Sequence, residues 1–368
     1  MDTDKAFDGV YTGRRVLLTG DTGFKGAWLA FWLRRLGAEV LGVALPPEGE
    51  RSLHAAAELA VVYEHRTIDI RDADAVRAAV AGWKPDVVFH LAAQALVRRS
   101  YAAPLETIDT NVMGTANVLE AVRAVGQPCA VVVVTSDKCY ENPETARACP
   151  ETDPMGGHDP YSASKGCAEL VAAAYRASFF APGGTVALAT ARAGNVIGPG
   201  DWAEDRIVPD AVRALAAGCP LGVRNPRSVR PWQHVLEPLG GYLRLGQALM
   251  EEGASAAEGW NFGPDPDEMH TVGELADAFC AAWGDGARWV AAEEQSAPHE
   301  ANLLRLSIAK AAARLQWRPV WDFATAVRRT AIGYRRLLAA TDADAVRAFM
   351  QEEIAAYEVA GGRERNER

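Results

Sequence analysis

No apolar run in the 368-residue chain is long enough to span a bilayer, which excludes a membrane-crossing helix. Positive charge is also in deficit: 38 Lys and Arg stand against 48 Asp and Glu, a net charge of −10. A general nucleic-acid or anionic-membrane partner demands a basic face, so neither is expected, although a local basic pocket for one phosphorylated ligand fits that balance. Cysteine is sparse. The six (Cys129, Cys139, Cys149, Cys167, Cys219 and Cys280) make no CxxC pair and join no ligand-like histidine spacing. Free thiols are the expectation, with no metal site. The opening MDTDKAFDGVYTGRR is acidic and polar and lacks the apolar run of a signal peptide, so the expected location is the cytoplasm. There is no internal repeat. What is present, 49% hydrophobic and 23% charged residues, is an ordinary globular composition with length enough for a large core.

The stretch from Ala130 to Lys165 organises the chain. Ala130 to Val134 are small or β-branched and apolar, as suits a parallel strand buried on both faces, and they end abruptly in Thr135, Ser136, Asp137 and Lys138. In open α/β sheets chemistry sits at that carboxyl end. Downstream, Tyr161 and Lys165 stand four apart at the start of a helical segment, hence on one face. An ammonium beside a phenol favours the phenolate, so Tyr161 reads as a base.

Upstream, the strand Arg14 to Thr19 runs into Gly20-Asp-Thr22-Gly23-Phe24-Lys25-Gly26 and an amphipathic helix ending at Gly37. This is the first βα unit of a dinucleotide fold: glycines admit a pyrophosphate and the helix N-terminus favours its charge. The second strand, Glu39 to Leu45, ends in Ala44-Leu45-Pro46 without the acid that often binds the adenosine ribose, and Arg51 is the one nearby candidate for a 2′-phosphate. After the third strand, Asp69 reads equally as an acceptor for adenine or as a helix-capping acid, with Ile70 beside it. The fourth strand, Asp86 to His90, leads into Leu91, Ala92, Ala93 and Gln94, small enough for a dinucleotide to lie against. His90 reads as a satisfied core histidine and Asn111 as a buried hydrogen-bonding residue that shapes the site. Trp28 and Trp32 read as packing, and the Arg34-Arg35 and Arg335-Arg336 pairs as solvated helix faces. After about 200 the composition turns richer in Pro, Gly and Trp. Helices are expected at 207–217, 236–252, 271–283, 307–315 and 322–338. Residues 13–200 are expected as a doubly wound, mainly parallel Rossmann sheet and 201–345 as a smaller mixed α/β lobe, with 1–12 and 361–368 as flexible tails.

Taken together, TGxxGxxG, Ser136-Asp137, Tyr161/Lys165, RxGNVIGPG and Arg230-Pro-Trp-Gln-His-Val resemble the extended short-chain dehydrogenase/reductase family, over about residues 14 to 340 and in the family's order. Asp137-Lys138, where most sugar-nucleotide 4,6-dehydratases carry Asp-Glu, looks like the CDP-glucose branch. The resemblance implies NAD as cofactor, held by Gly20, Thr22, Gly23, Phe24, Lys25, Gly26, Asp69, Ile70, Leu91, Ala92, Ala93, Tyr161 and Lys165. It implies CDP-glucose as substrate, contacted by Gln94, Asn195, Arg206, Arg230 and His299, with Glu300 in the same cleft. Tyr161 would take the sugar 4-hydroxyl proton as hydride leaves C4, Lys165 would lower its pKa and bind the nicotinamide ribose, and Ser136 would hold the 4-oxygen. Asp137 would then protonate the departing 6-hydroxyl. Lys138 would be the C5 base if neutral, an electrostatic support for the enolate if charged, or merely a solvated lysine. A homodimer or higher homo-oligomer, pairing through helices near 112–125 and 161–180, is the implied assembly. A different sugar-nucleotide dehydratase, a 4-epimerase or a silent nucleotide sensor stay open; Asp137 separates the first from the second, since an epimerase has no use for an elimination acid.

Overall fold

The computed structural model describes residues 7–47, 49, 51–142, 147–180, 183–265, 267–292 and 304–366. Its centre is a seven-stranded parallel sheet. Six strands are β1 (Arg15–Thr19), β2 (Glu39–Ala44), β3 (Glu64–Thr67), β4 (Val87–His90), β5 (Cys129–Val134) and β6 (Val186–Ala193); the seventh, Gly259–Phe262, returns from late in the chain to pair with β6. From one edge the order is Gly259–Phe262, β6, β5, β4, β1, β2, β3. The chain runs outward from β1 to β3 and then resumes on the other side of β1, so the crevice above the β1/β4 junction is the switch point at which such sheets bind ligands. All six residues of β5 are buried, because helices cover both its faces.

Thirteen helices among the described residues flank or extend this sheet: α1 (Phe24–Arg35), α2 (Leu53–Ala56), α3 (Ala73–Trp83), α4 (Val97–Ala102), α5 (Pro104–Ile108), α6 (Gly114–Val125), α7 (Pro160–Ser178), α8 (Ile207–Ala216), α9 (Leu236–Glu252), α10 (Val272–Trp283), α11 (Ala309–Arg314), α12 (Phe323–Ala339) and α13 (Ala343–Asn366). Local chemistry starts several of them. Asp159 caps α7 through the Ser162 amide with Pro160 in the first turn, Asp322 caps α12 through Thr325, and Thr271 with Glu274 forms a reciprocal box on α10. One core packs α1, α9 and α13 on one sheet face around Trp28, Trp32, Leu239, Leu243 and Phe349; another packs α3, α6 and α7 on the opposite face around Val76, Val118, Leu119 and Ala172. A third cluster, from Ile197 through Phe279 to Tyr334, forms the core of the smaller lobe.

Both ends of the chain differ from expectation. Within the supposed leader, Tyr11 is buried and its hydroxyl donates to the Leu243 carbonyl at 2.5 Å, so an aromatic anchor fixes the approach to β1; residues 1–6 lie outside the described part. At the other end, residues 361–366 are not a loose tail but the last turns of α13. This helix closes over α1: Trp32 Nε1 donates to Glu358 at 2.9 Å, and Arg35, expected on a solvated face, pairs with the same carboxylate at 3.0 Å. A buried aromatic face on α1 leaves a patch that must be covered, and α13 covers it.

Candidate active site

One cleft of about 1620 Å³ opens above the carboxyl ends of the strands, and every described residue of the expected cofactor, catalytic and substrate sets lines it. His299 and Glu300 lie outside the described residues. The floor is the glycine-rich turn. A Cβ on Gly26 would stand 1.9 Å from the Gly20 carbonyl oxygen, so only glycine lets α1 begin this close to the turn. No side chain caps α1 and its first turn carries no acid, which leaves its amide end open for an anion. Thr22 ties the turn to the end of β2 by donating to the Leu45 carbonyl at 2.8 Å. Asp69 is not the cap of α3; Asp72 takes that position by accepting from the Asp74 and Ala75 amides. Asp69 instead forks onto Arg71, and hydrogen bonds from that guanidinium hold its carboxyl below the usual range. Ile70 packs its Cδ1 on Gly114, where a Cβ would lie at 2.5 Å. His90 is a buried core histidine, bonded to Thr19 at 2.7 Å and Thr115 at 3.1 Å.

The groups expected to react meet where β5 ends. Ser136 donates to Asp137 at 2.9 Å, accepts from the Lys138 amide at 3.2 Å and shares the cleft with Tyr161. Asp137 is buried and its carboxyl is pushed up, by burial first, against the lowering charges of Lys138 and Lys25. A Cβ on Gly194 would sit 2.6 Å from an Asp137 oxygen, so a glycine is what leaves the carboxyl its place. Tyr161 and Lys165 share one face of α7, yet Lys165 Nζ stands 6.0 Å from the phenol ring centroid. Burial lifts the Tyr161 pKa; the Lys138 and Arg206 charges oppose it. Burial also brings Lys165 down to about 8. The half-buried Lys138 acts on both the acid and the phenol. Asn111 fixes the frame by accepting from the Gln94 amide and donating to the Gln94 carbonyl and to Ser164 on α7.

On the substrate side, Arg206 pairs with buried Asp201 at 2.9 Å, whose charge raises its pKa further. Arg230 and Asn195 border the same cavity. Gln94 lines it with its side-chain amide engaged: Nε2 donates to Leu96 and Thr107 while Oε1 accepts from the Leu96 amide, which shapes the loop after β4. Trp232 is buried in the core of the smaller lobe as well as bordering the cleft, and Trp202 packs edge-on to Tyr334.

Sequence reasoning missed the support beneath this site. Glu169, one turn past Lys165, accepts from Thr135 at 2.5 Å and from Thr190 and Arg192 at 2.7 Å, and Arg192 donates onward to the Tyr140 hydroxyl at 2.6 Å. This buried ion pair clamps α7 to the ends of β5 and β6. The signal was an acid four residues after a cleft lysine in an otherwise apolar helix run.

The GDP-mannose 4,6 dehydratase model matches residues 17–330. The chain belongs to the GDP-mannose 4,6 dehydratase family. Within it, the CDP-glucose 4,6-dehydratase of Salmonella typhimurium is 49% identical over 330 residues, 89% of this chain and 91% of that protein. The dTDP-glucose 4,6-dehydratase of Streptomyces antibioticus is 32% identical over 270 residues, 73% of this chain and 75% of that one. Among solved structures, the UDP-glucose 4-epimerase of Thermus thermophilus in complex with NAD superposes with a TM-score of 0.74 at 27% identity, covering 87% of this chain and 99% of that one. The family's Rossmann-type sheet is the one seen here.

Proposed function

We propose that the protein is a CDP-glucose 4,6-dehydratase, a hydro-lyase that uses NAD to convert CDP-glucose to CDP-4-dehydro-6-deoxyglucose for deoxysugar synthesis. The observation that carries this reading is Asp137: a buried carboxyl at the end of β5 whose hold on a proton is strengthened by burial, beside Ser136 and in one cleft with Tyr161. A 4-epimerase needs no such acid. The Salmonella relative supports cytosine as the base.

The residues fit a dinucleotide: the glycine turn and the open α1 terminus suit a pyrophosphate, and the loop after β4 is small. Arg51 stacks over Trp202 at 5.2 Å, which supports NAD over its 2′-phosphorylated form. When bound, NAD supplies the acceptor and later the donor of one hydride. Tyr161 receives the 4-hydroxyl proton, with the Lys138 and Arg206 charges working against the burial that raises its pKa. Ser136 then holds the ketone oxygen. Asp137 delivers its proton to the departing 6-hydroxyl, while Lys138, in its neutral form, takes the C5 proton and, once charged, stabilises the resulting enolate. Asn195 and Arg230 hold the diphosphate, and Arg206 lines the same cleft. Residues 13–200 carry the cofactor and 201–345 the nucleotide sugar.

Leu105 (80% exposed), Ile108, Met113 and Leu170 (61%) leave apolar surface on α5, α7 and the turn before α6, the face through which we place a homo-oligomer. Six free thiols suit the reducing cytoplasm. The deciding experiment incubates the protein with NAD and CDP-, dTDP-, GDP- or UDP-glucose and follows the alkali-sensitive absorbance of a 4-keto-6-deoxy product. Product from CDP-glucose alone is expected; inverted sugar without ketone makes it an epimerase, and no turnover of any of them ends the enzymatic reading.

A further inference from the structure

Of the turn from Gly20 to Gly26, Asp21 alone does not border the cleft. Its side chain is fully buried and lies against β2, where a Cβ on Gly42 would stand 2.2 Å from its Oδ2; a glycine on that strand makes room for the carboxylate. Two histidines from separate segments face the same group. His65, beside Gly42 in the β2/β3 register, brings Nδ1 to 2.8 Å from Oδ2, and His54 on α2 brings Nε2 to 3.7 Å. Tyr63 donates its hydroxyl to Oδ2 at 3.1 Å and stands edge-on to the His54 ring. No ligand-like spacing marks these residues, because the fold gathers them from three segments.

A fully buried carboxylate is unfavourable unless its charge is met. Among the described residues neither lysine nor arginine pairs with Asp21; its ion-pair neighbours are the two histidines. The contacts crowd onto Oδ2, while Oδ1 and His54 Nε2 are both buried without a hydrogen-bond partner. An anionic oxygen and an imidazole nitrogen are thus left unmet in one cluster. A divalent cation would meet both. One donor atom from each of Asp21, His54 and His65 lies within 4.8 Å of the other two. Donors held by a tetrahedral ion at about 2.1 Å stand roughly 3.4 Å apart, and the 2.8 and 3.7 Å found here straddle that spacing. Imidazole nitrogens mixed with carboxylate oxygen suit zinc and its neighbours, whereas calcium and magnesium take oxygen alone.

We propose that Asp21, His54 and His65 bind one divalent transition ion of the zinc class, with the Asp21 carboxylate facing it through Oδ1 as well as Oδ2. On binding, the proton between His65 Nδ1 and Asp21 leaves that nitrogen, whose lone pair then faces the ion. The Tyr63 hydroxyl stays on Oδ2 and orients the carboxylate. The site is a staple: it ties the glycine turn after β1 to the edge strand β3 and to α2, which follows the cleft-lining Arg51 and Ser52. It lies outside the reaction centre and does not depend on the dehydratase reading.

Titration of the untagged, metal-stripped protein with cobalt chloride tests this. Visible d–d absorption should saturate at one ion per chain and be bleached by zinc chloride. His54→Phe keeps a ring beside Tyr63, and His65→Gln keeps a donor for Asp21. Each should weaken cobalt binding by about a hundredfold or more, since loss of a partner that merely supports a ligand already costs 10–100-fold. Should the phenylalanine variant not fold, the native titration and His65→Gln decide. Absence of the visible band in the native protein overturns the proposal, and so does equal affinity in the variants. An intense near-ultraviolet thiolate band would place the ion on cysteines and overturn it as well.

Discussion

At the scale of single residues, a hydroxyl and an acid at the end of an all-apolar strand have few structural uses. Ser136, Asp137, Tyr161 and Lys165 meet in one cleft as their spacing implied. What spacing could not convey is field. Lys165 was expected to set the phenol's acidity; Lys138 and Arg206 act on the same phenol, because side chains from separate segments converge there. The roles remain separable by mutation. Asp137→Asn keeps the shape and hydrogen-bonding size of the side chain but cannot donate an acidic proton. It should lower 4-keto-6-deoxy product formation by roughly 10²–10⁴-fold, the usual contribution of general acid catalysis, while leaving slow appearance of reduced-nicotinamide absorbance. Product formation at the native rate would remove Asp137 from the role of acid.

At the scale of elements, the parallel strands and the helices that cross between them follow from apolar runs, caps and glycine turns. Less legible were the pieces whose stability comes from a distant partner. Helix α13 carries Val346, Phe349, Met350, Ile354 and Tyr357 on one stripe, a helical period obscured by the charged GGRERNER that ends it. The Glu169–Arg192 pair is another such piece, since neither residue alone signals a buried bridge. Both side chains are nearly inaccessible, at 4% and 6% exposure. Replacing one partner of a buried pair leaves the other uncompensated, which costs about 3–5 kcal/mol. Glu169→Gln should therefore lower the urea midpoint markedly. Replacing Glu169 with leucine and Arg192 with methionine together should recover a good part of that loss, because the pair's own net contribution is small. A single variant with a native midpoint would show that the pair does not clamp α7 to the sheet.

At the scale of the whole molecule, two buried histidines tie the fold to pH. His90 lies between β1 and α6, and burial, followed by the charge of Lys165, pushes it down to about 3. His234 lies under the smaller lobe, edge-on to Trp321 at 4.8 Å; burial, followed by the charge of Arg329, pushes it down to about 3 as well. Its Nδ1 accepts from the Leu236 amide, whereas Nε2 has no partner, so no acceptor stands ready for an added proton. In the unfolded chain both imidazoles take a proton near pH 6.5; in the fold they do so only near 3. The unfolded state thus binds more protons throughout that window. The stabilisation is complete above about pH 6.5 and is lost as pH falls toward 3, at about 1.4 kcal/mol per pH unit for each histidine. The urea midpoint should accordingly fall between pH 7 and pH 5 through these two sites together. His234→Leu, which fills the site without a titrating ring, should remove close to half of the histidine share of that slope, whereas an unchanged slope would mean that the folded His234 already titrates like a free imidazole.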